Sequence, residues 1–158
     1  MLKLTYKILF VMMNLSDKGF FAHGVFNLTP GESYELTENH GFILVVVREP
    51  YMTNFKMFRV KNLLLCPFSM LTEVYHELPV DKPLIIADSA GLKSRETVFF
   101  LDKNGFVNVA NMAGGFIEWE RDGLPVTVDK EYRLSGSCMC QIKAREGNGH
   151  NPKGSGLR

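Results

Sequence analysis

Apolar residues along this chain gather in short unbroken runs separated by mixed stretches. Residues 42–47, 63–66 and 84–87 are apolar throughout, rich in Val, Leu and Ile. A strand with one wet face would alternate, so unbroken runs mark strands buried on both faces. Residues 25–28 and 107–110 add two shorter apolar segments. Between these runs the spacing becomes helical. Thr29, Pro30 and Glu32 supply a cap, a first-turn proline and a capping-box glutamate, which predict a helix to about residue 38. Leu71, Val74 and Tyr75 share one face of a helix predicted over 69–78. Residues 92–104 predict another, ended by Gly105. Gly114 and Gly115 open a last helix over 116–121, closed by Gly123 and Pro125. Residues 51–61 read as irregular with room for one helical turn, and the pattern fades from Val126 onward.

Strands alternating with helices of this length imply an α/β fold, a parallel sheet of about five strands with helices on both faces. The compact domain is expected over 25–126. Residues 1–24 form an N-terminal extension, and 127–158 a C-terminal extension whose Gly- and Asn-rich end reads as a disordered tail. No internal repeat is present.

In sheets of this type ligand sites form at the carboxyl ends of strands. That singles out the segment after the 84–87 run: Asp88, Ser89, Ala90, Gly91, Leu92, Lys93 and Ser94. Its small residues let the backbone curl ahead of a helix. A curled backbone turns several N–H groups inward at the positive end of the helix dipole, which makes an anion-binding loop. Lys93 adds a positive charge at the rim. The plainer reading is an ordinary strand-to-helix turn in which Asp88 or Ser89 satisfies local donors. Spacing alone leaves both open.

Composition narrows the function classes. The chain has 158 residues, a formal net charge of +1, 22% charged and 46% hydrophobic residues. The near-neutral charge argues against a nucleic-acid partner. No apolar run approaches the roughly 20 residues that span a bilayer, so no membrane partner is expected. Three cysteines, Cys66, Cys138 and Cys140, are too few for a disulfide scaffold, which favours a reduced, cytoplasmic setting. The apolar stretch at 8–13 lacks the small-residue cleavage site of a signal peptide. It reads as an irregular extension or as sequence upstream of a true start at Met13. The four histidines show no ligand spacing, and no metal or cofactor is expected.

Residues 84–125 resemble a rhodanese domain, the fold of thiosulfate sulfurtransferases. Gly91-Leu92-Lys93-Ser94 is similar to the G-x-R-S end of the family's active-site loop. Gly105-Phe106 and Asn108-Val109 resemble its "GF.NV" stretch. Ala113-Gly114-Gly115, Trp119 and Gly123-Leu124-Pro125-Val126 resemble its "GG…W…GLPV" ending. Upstream, residues 44–50 and 63–67 are similar to its first strands in a more degenerate way. The resemblance implies an α/β sulfurtransferase in which a loop cysteine takes up sulfur as a persulfide.

The departures bear on that chemistry. The family's cysteine position holds Asp88, and no cysteine lies between Cys66 and Cys138. A carboxylate cannot form a persulfide, so the standard reaction is expected to be absent at this loop. Lys93 stands where arginine is usual; it keeps the charge and loses the bidentate fork. Phosphatases of this fold need a cysteine and an arginine at wider spacing than the four residues between Asp88 and Lys93. In an anion-holding loop, Asp88 would supply the anion itself and plug the site. The expected function is a non-catalytic binding or regulatory module, with a protein partner or a sulfur-containing anion as ligand. The alternative is a sulfurtransferase or thiol-redox protein that uses Cys138 or Cys140. That C-x-C pair admits redox, metal-binding and idle readings. Cys66, in an apolar run, reads as a buried small hydrophobe. The sequence carries no sign of oligomeric state.

Overall fold

A computed structural model describes residue 15 and residues 17–130. Cys138, Cys140 and the expected tail lie outside the described residues, as does the 1–14 stretch. The strands are β1 (Phe20–Ala22), β2 (Val25–Leu28), β3 (Ile43–Val46), β4 (Lys56–Phe58), β5 (Leu63–Leu65), β6 (Leu84–Ala87), β7 (Val109–Met112) and β8 (Val126–Val128). The α-helices are α1 (Pro30–Asn39), α2 (Pro50–Thr53), α3 (Leu71–Val74), α4 (Leu92–Lys103) and α5 (Gly115–Arg121).

The main sheet has the order β1-β2-β7-β6-β3-β5. From β2 to β5 all neighbours run parallel, which gives the five parallel strands expected, but β5 is an edge strand whose Leu64 and Leu65 are exposed, so the 63–66 run is not buried on both faces as expected. β1 adds an antiparallel edge, joined to β2 by a tight hairpin turn. At that turn His23 and Gly24 both have positive φ, 52° and 78°. Two successive left-handed residues match the twist of a two-residue hairpin.

Why unbroken apolar runs were needed becomes clear from the packing. Along β3 and β6, successive side chains fall into two different cores. Leu44, Val46, Ile85 and Ala87 face α1 and α5, where Leu36, Phe116 and Trp119 meet them. Val45, Val47, Leu84 and Ile86 face the opposite layer, with Leu71, Leu78, Val98 and Leu101. Each fully buried aliphatic side chain contributes about 1.5–3 kcal/mol. Trp119 is fully buried and its indole N–H donates to the Pro125 carbonyl at 2.9 Å. Phe58 and Tyr34 meet its ring edge-to-face at 5.1 and 5.8 Å. At α1, the expected capping box forms in full, with Thr29 and Glu32 bonding each other's backbone N–H.

Three local expectations are corrected. The strand expected at 107–110 lies two residues later, at Val109–Met112. Asn111 is drawn into the sheet because it pairs with Asn27 across the β2–β7 register. The helix expected over 69–78 is broken into α3 and two flanking 3₁₀ turns, Phe68–Met70 and Tyr75–Glu77. Its buried residues, Leu71 and Leu78, still share one face. Residues 51–61 hold the one helical turn there was room for, the end of α2, but the rest is not irregular: β4 lies there and pairs antiparallel with β8 in a small second sheet. Three-residue strands are too short to show a period.

Candidate functional site

Asp88 follows β6 directly and is 4% exposed. Its Oδ1 accepts the Gly91 backbone N–H, and its Oδ2 accepts the Lys93 backbone N–H at 2.8 Å. The loop therefore turns N–H groups inward, and a carboxylate from within the loop receives them. Gly91, with φ of 89°, stands at the N-terminus of α4, a conformation that favours glycine. Gly91 has no side chain to cap this helix, and the Asp88 carboxylate takes that part at the Lys93 N–H.

The paired glycines explain why the loop holds its shape. Gly114 and Gly115 both have positive φ. A Cβ on Gly115 would lie 2.6 Å from the Ala90 nitrogen and 2.7 Å from the Asp88 carbonyl oxygen. Only glycine lets α5 start this close to the loop. The first turn of α5 then donates to the loop carbonyls: Phe116 N–H to Asp88 at 2.8 Å, and Ile117 N–H to Ser89 at 3.1 Å. Orphan donors of one helix thus satisfy the loop that opens another.

Behind Asp88 runs a buried polar chain that the sequence did not reveal. Ser94 Oγ lies 3.3 Å from Asp88 Oδ1 and 2.5 Å from Asn111 Oδ1. Asn111 Nδ2 donates to Asn27 Oδ1 at 2.8 Å, and Asn27 Nδ2 donates to the Val25 and Ala22 carbonyls at 2.9 and 3.2 Å. Ser94, Asn111 and Asn27 are all buried. The signal available was a polar residue inside each of two apolar strand segments.

In front of the loop lies a pocket of about 220 Å³, lined among others by Arg48, Glu49, Met52, Ser89, Leu92 and Lys93. The Arg48 guanidinium is one of the charged groups of its wall, with Glu49, Asp88 and Lys93. Its Nη1 donates to the Lys56 carbonyl at 2.7 Å, its Nε to Ser89 Oγ at 3.3 Å, and it stacks 4.2 Å from the centre of the Phe116 ring. Burial pushes its pKa down, against the pull of Glu120 and Asp88, which favour the charged form. No carboxylate lies within ion-pair distance of it among the described residues. Glu49 is engaged elsewhere, receiving the Ser69 N–H at 3.1 Å and the Ser69 hydroxyl at 2.8 Å. Ser89 donates to the Met52 sulfur at 3.6 Å. Arg48 follows β3, the neighbour of β6, and so belongs to the same carboxyl end of the sheet; that placement was its sequence signal.

The structure splits the role expected of Lys93. Its backbone N–H serves the carboxylate, while its ammonium rests 5.2 Å from the centre of the Phe68 ring, at the pocket rim. Leu92 is 59% exposed beside it. The remaining cysteine, Cys66, is 1% exposed, and burial pushes its thiol pKa up, with Glu77 adding to the shift. It packs in the core on the α4 side of the sheet, not in the pocket. No group of three or more potential metal-ligating side chains occurs among the described residues.

Comparison with known proteins places this architecture. The profile of the rhodanese-like domain matches residues 29–122. Two proteins named thiosulfate sulfurtransferase GlpE, from Actinobacillus pleuropneumoniae serotypes 7 and 5b, are 31% and 35% identical over 103 residues. Each match covers 63% of this chain and 90% of the relative. Among solved structures, a rhodanese-related protein from Thermoplasma volcanium aligns with a TM-score of 0.58 at 27% identity. That alignment covers 65% of this chain and 98% of the other.

Proposed function

The chain belongs to the rhodanese-like domain family, and we propose that within it this member is a binding and regulatory module whose loop performs no thiol-based sulfur transfer. One observation carries the reading: the Asp88 carboxylate sits on the Gly91 and Lys93 N–H groups where the family resemblance puts the reacting thiol. A persulfide requires a sulfur nucleophile, and an oxygen acid already holding the loop's donors supplies none. Cys66 does not substitute for it, since its thiol is buried and held protonated by its surroundings. The loop is closed by its own anion, and recognition falls to the pocket in front of it. Arg48 and Lys93 suit a sulfur-containing anion there, or an acidic group of a protein partner. No helix among the described residues is long and apolar enough to cross a membrane. Cysteine usage supports a reduced, cytoplasmic setting.

The test is incubation with thiosulfate and cyanide, following thiocyanate release and the mass of each cysteine-containing peptide. The expected result for the native chain is neither thiocyanate nor a 32 Da persulfide adduct (one sulfur atom, by mass arithmetic, about 32 Da). Asp88→Cys is expected to gain a persulfide at the substituted position. Native turnover that persists after Cys138 and Cys140 are both changed to serine would overturn the reading. Turnover that vanishes in that double variant would assign the chemistry to the C-x-C pair instead.

A further inference from the structure

β5 ends the main sheet, and its sequence is three leucines. Leu64 and Leu65 are 37% and 52% exposed. On the inner side the Leu44 N–H donates to the Asn62 carbonyl at 3.0 Å, and the Cys66 N–H donates to the Val46 carbonyl at 2.9 Å. With Leu44 opposite Leu63 and Val46 opposite Leu65, the main-chain groups of Asn62, Leu64 and Cys66 turn toward β3. Those of Leu63 and Leu65 turn the other way, toward no strand among the described residues. Such an edge is a template for a further strand. The opposite edge is partly closed, since the Gly19 N–H beside β1 donates to the Glu32 carboxylate at 3.0 Å.

The pattern of outward groups selects the occupant. They lie one residue to either side of Leu64. Turned over about a twofold axis through Leu64, the same strand offers its Leu65 to Leu63 and its Leu63 to Leu65. Each facing pair then exchanges two N–H···O=C bonds. The neighbouring twofold registers fail. A twofold through Leu63 needs the Lys61 N–H, which already donates to the Glu38 carboxylate at 2.7 Å. A twofold through Leu65 needs Pro67, which has no N–H. A strand from another protein would have to bring this pattern; a second copy brings it by symmetry. Charge does not oppose the meeting, because residues 62–66 are uncharged and the whole chain carries a formal net charge of +1.

We propose that β5 pairs antiparallel with β5 of a second copy of this chain, in the register that sets Leu64 against Leu64. The main sheet then runs unbroken through both copies. The two leucines meet at a non-hydrogen-bonded position, with Cα atoms about 4.5 Å apart. Antiparallel pairing reverses strand direction, so the two pockets lie at opposite ends of the joined sheet. The proposal does not depend on what the pocket binds.

Sedimentation of the full chain over a range of concentrations tests it. The mass is expected to rise from one chain to two and to stop there. Leu64→Lys sets two ammonium groups face to face in the dimer, while an exposed position keeps the lysine solvated in the single chain. Leu65→Pro removes an outward N–H and leaves the inward bonds of Leu64 and Cys66 to β3, a placement that edge strands tolerate. Each variant is expected to raise the dissociation constant at least about tenfold, with the urea midpoint of the single chain unchanged. Leu64→Cys provides an independent reading. Under mild oxidation it is expected to give dimers linked 64 to 64, identified by peptide mass, about tenfold faster than Phe21→Cys gives dimers linked 21 to 21. Phe21 lies on the opposite edge and is the more exposed, at 68%. A single chain at every concentration overturns the proposal and leaves the edge to another occupant. A dimer that either variant leaves at full strength overturns it too, as does a Leu64→Cys linkage no faster than that of Phe21→Cys.

Discussion

Two neighbouring turns at the same end of the sheet handle charge in opposite ways. The turn after β6 neutralises itself: Asp88 is satisfied by backbone N–H groups three and five residues ahead. The turn after β3 reaches outward. Arg48 bonds Ser89 and Lys56 and stacks on Phe116, while Glu49 bonds Ser69. The first turn is closed and needs no ligand. The second holds a half-buried cation with no ion-pair partner among the described residues. A closed loop and an open pocket can thus stand side by side on adjacent parallel strands.

The sharpest way to break this contrast is to pry the closed turn apart. Gly115→Ala sets a methyl into the backbone of Asp88, Ser89 and Ala90 at a residue with φ of 59°. A loss of about 3 kcal/mol or more is expected from strain and clash, read from the urea midpoint. Asp88→Ala comes next. It leaves the Gly91 and Lys93 N–H groups without their acceptor, at about 1–3 kcal/mol each where water cannot reach them. A total near 3 kcal/mol would show that the carboxylate holds the loop; a loss below about 0.5 kcal/mol would show the loop holding itself.

The open turn should respond less. Arg48→Met keeps the apolar stem over Phe116 and removes the bonds to Lys56 and Ser89. It also removes a half-buried charge, so about 1 kcal/mol of net loss is expected in the same denaturation experiment. Lys93→Gln keeps the backbone N–H that Asp88 uses, and stability should stay within about 0.5 kcal/mol. A larger change would mean that the ammonium, and not the amide, secures the loop.

Acid titration supplies the smallest effect and a control away from both turns. Burial pulls the Glu32 pKa up, but N–H bonds from Thr29 and Gly19, the Thr29 hydroxyl and the charge of Lys18 outweigh it. The net result lies below the ordinary value of 4.5. A carboxyl whose folded pKa is lowered stabilises the fold above its unfolded value. That contribution is lost as pH falls through the folded value. Glu32→Gln should therefore flatten the decline in stability below about pH 4.5 while leaving the loop variants' differences intact.

The contrast between the turns also accounts for what could be read from the sequence. The closed turn is local. Asp88, Gly91 and Lys93 lie within six residues, and the run at 84–87 already announced a buried strand before them. The capping box at Thr29 and Glu32 was legible for the same reason. The open turn is built from distant pieces, as Ser89 lies 41 residues from Arg48; so is the polar chain behind Asp88, where Asn27 lies 84 residues from Asn111. Local spacing cannot bring such partners together. It also shifted β7 by two residues, because an asparagine inside a strand looks polar until its partner across the sheet is known. In the 69–78 segment the periodicity of buried positions was right, yet the backbone tightened into 3₁₀ turns around α3.

The asparagine pair has one more consequence. Two carbonyls, those of Ala22 and Val25, fix which end of the Asn27 amide is which. Asn27 must offer its oxygen to Asn111, and Asn111 must then offer its own oxygen to Ser94. A hydroxyl carries a single hydrogen. At 2.5 Å from Asn111 and 3.3 Å from Asp88, Ser94 spends it on the sheet. The row of side chains is therefore a one-way wire whose direction is written at the hairpin, at the far edge of the molecule. What reaches position 88 from this row is only the longer of the two Ser94 contacts, so the residue there leans chiefly on the main-chain N–H groups of Gly91 and Lys93 for its hydrogen bonds.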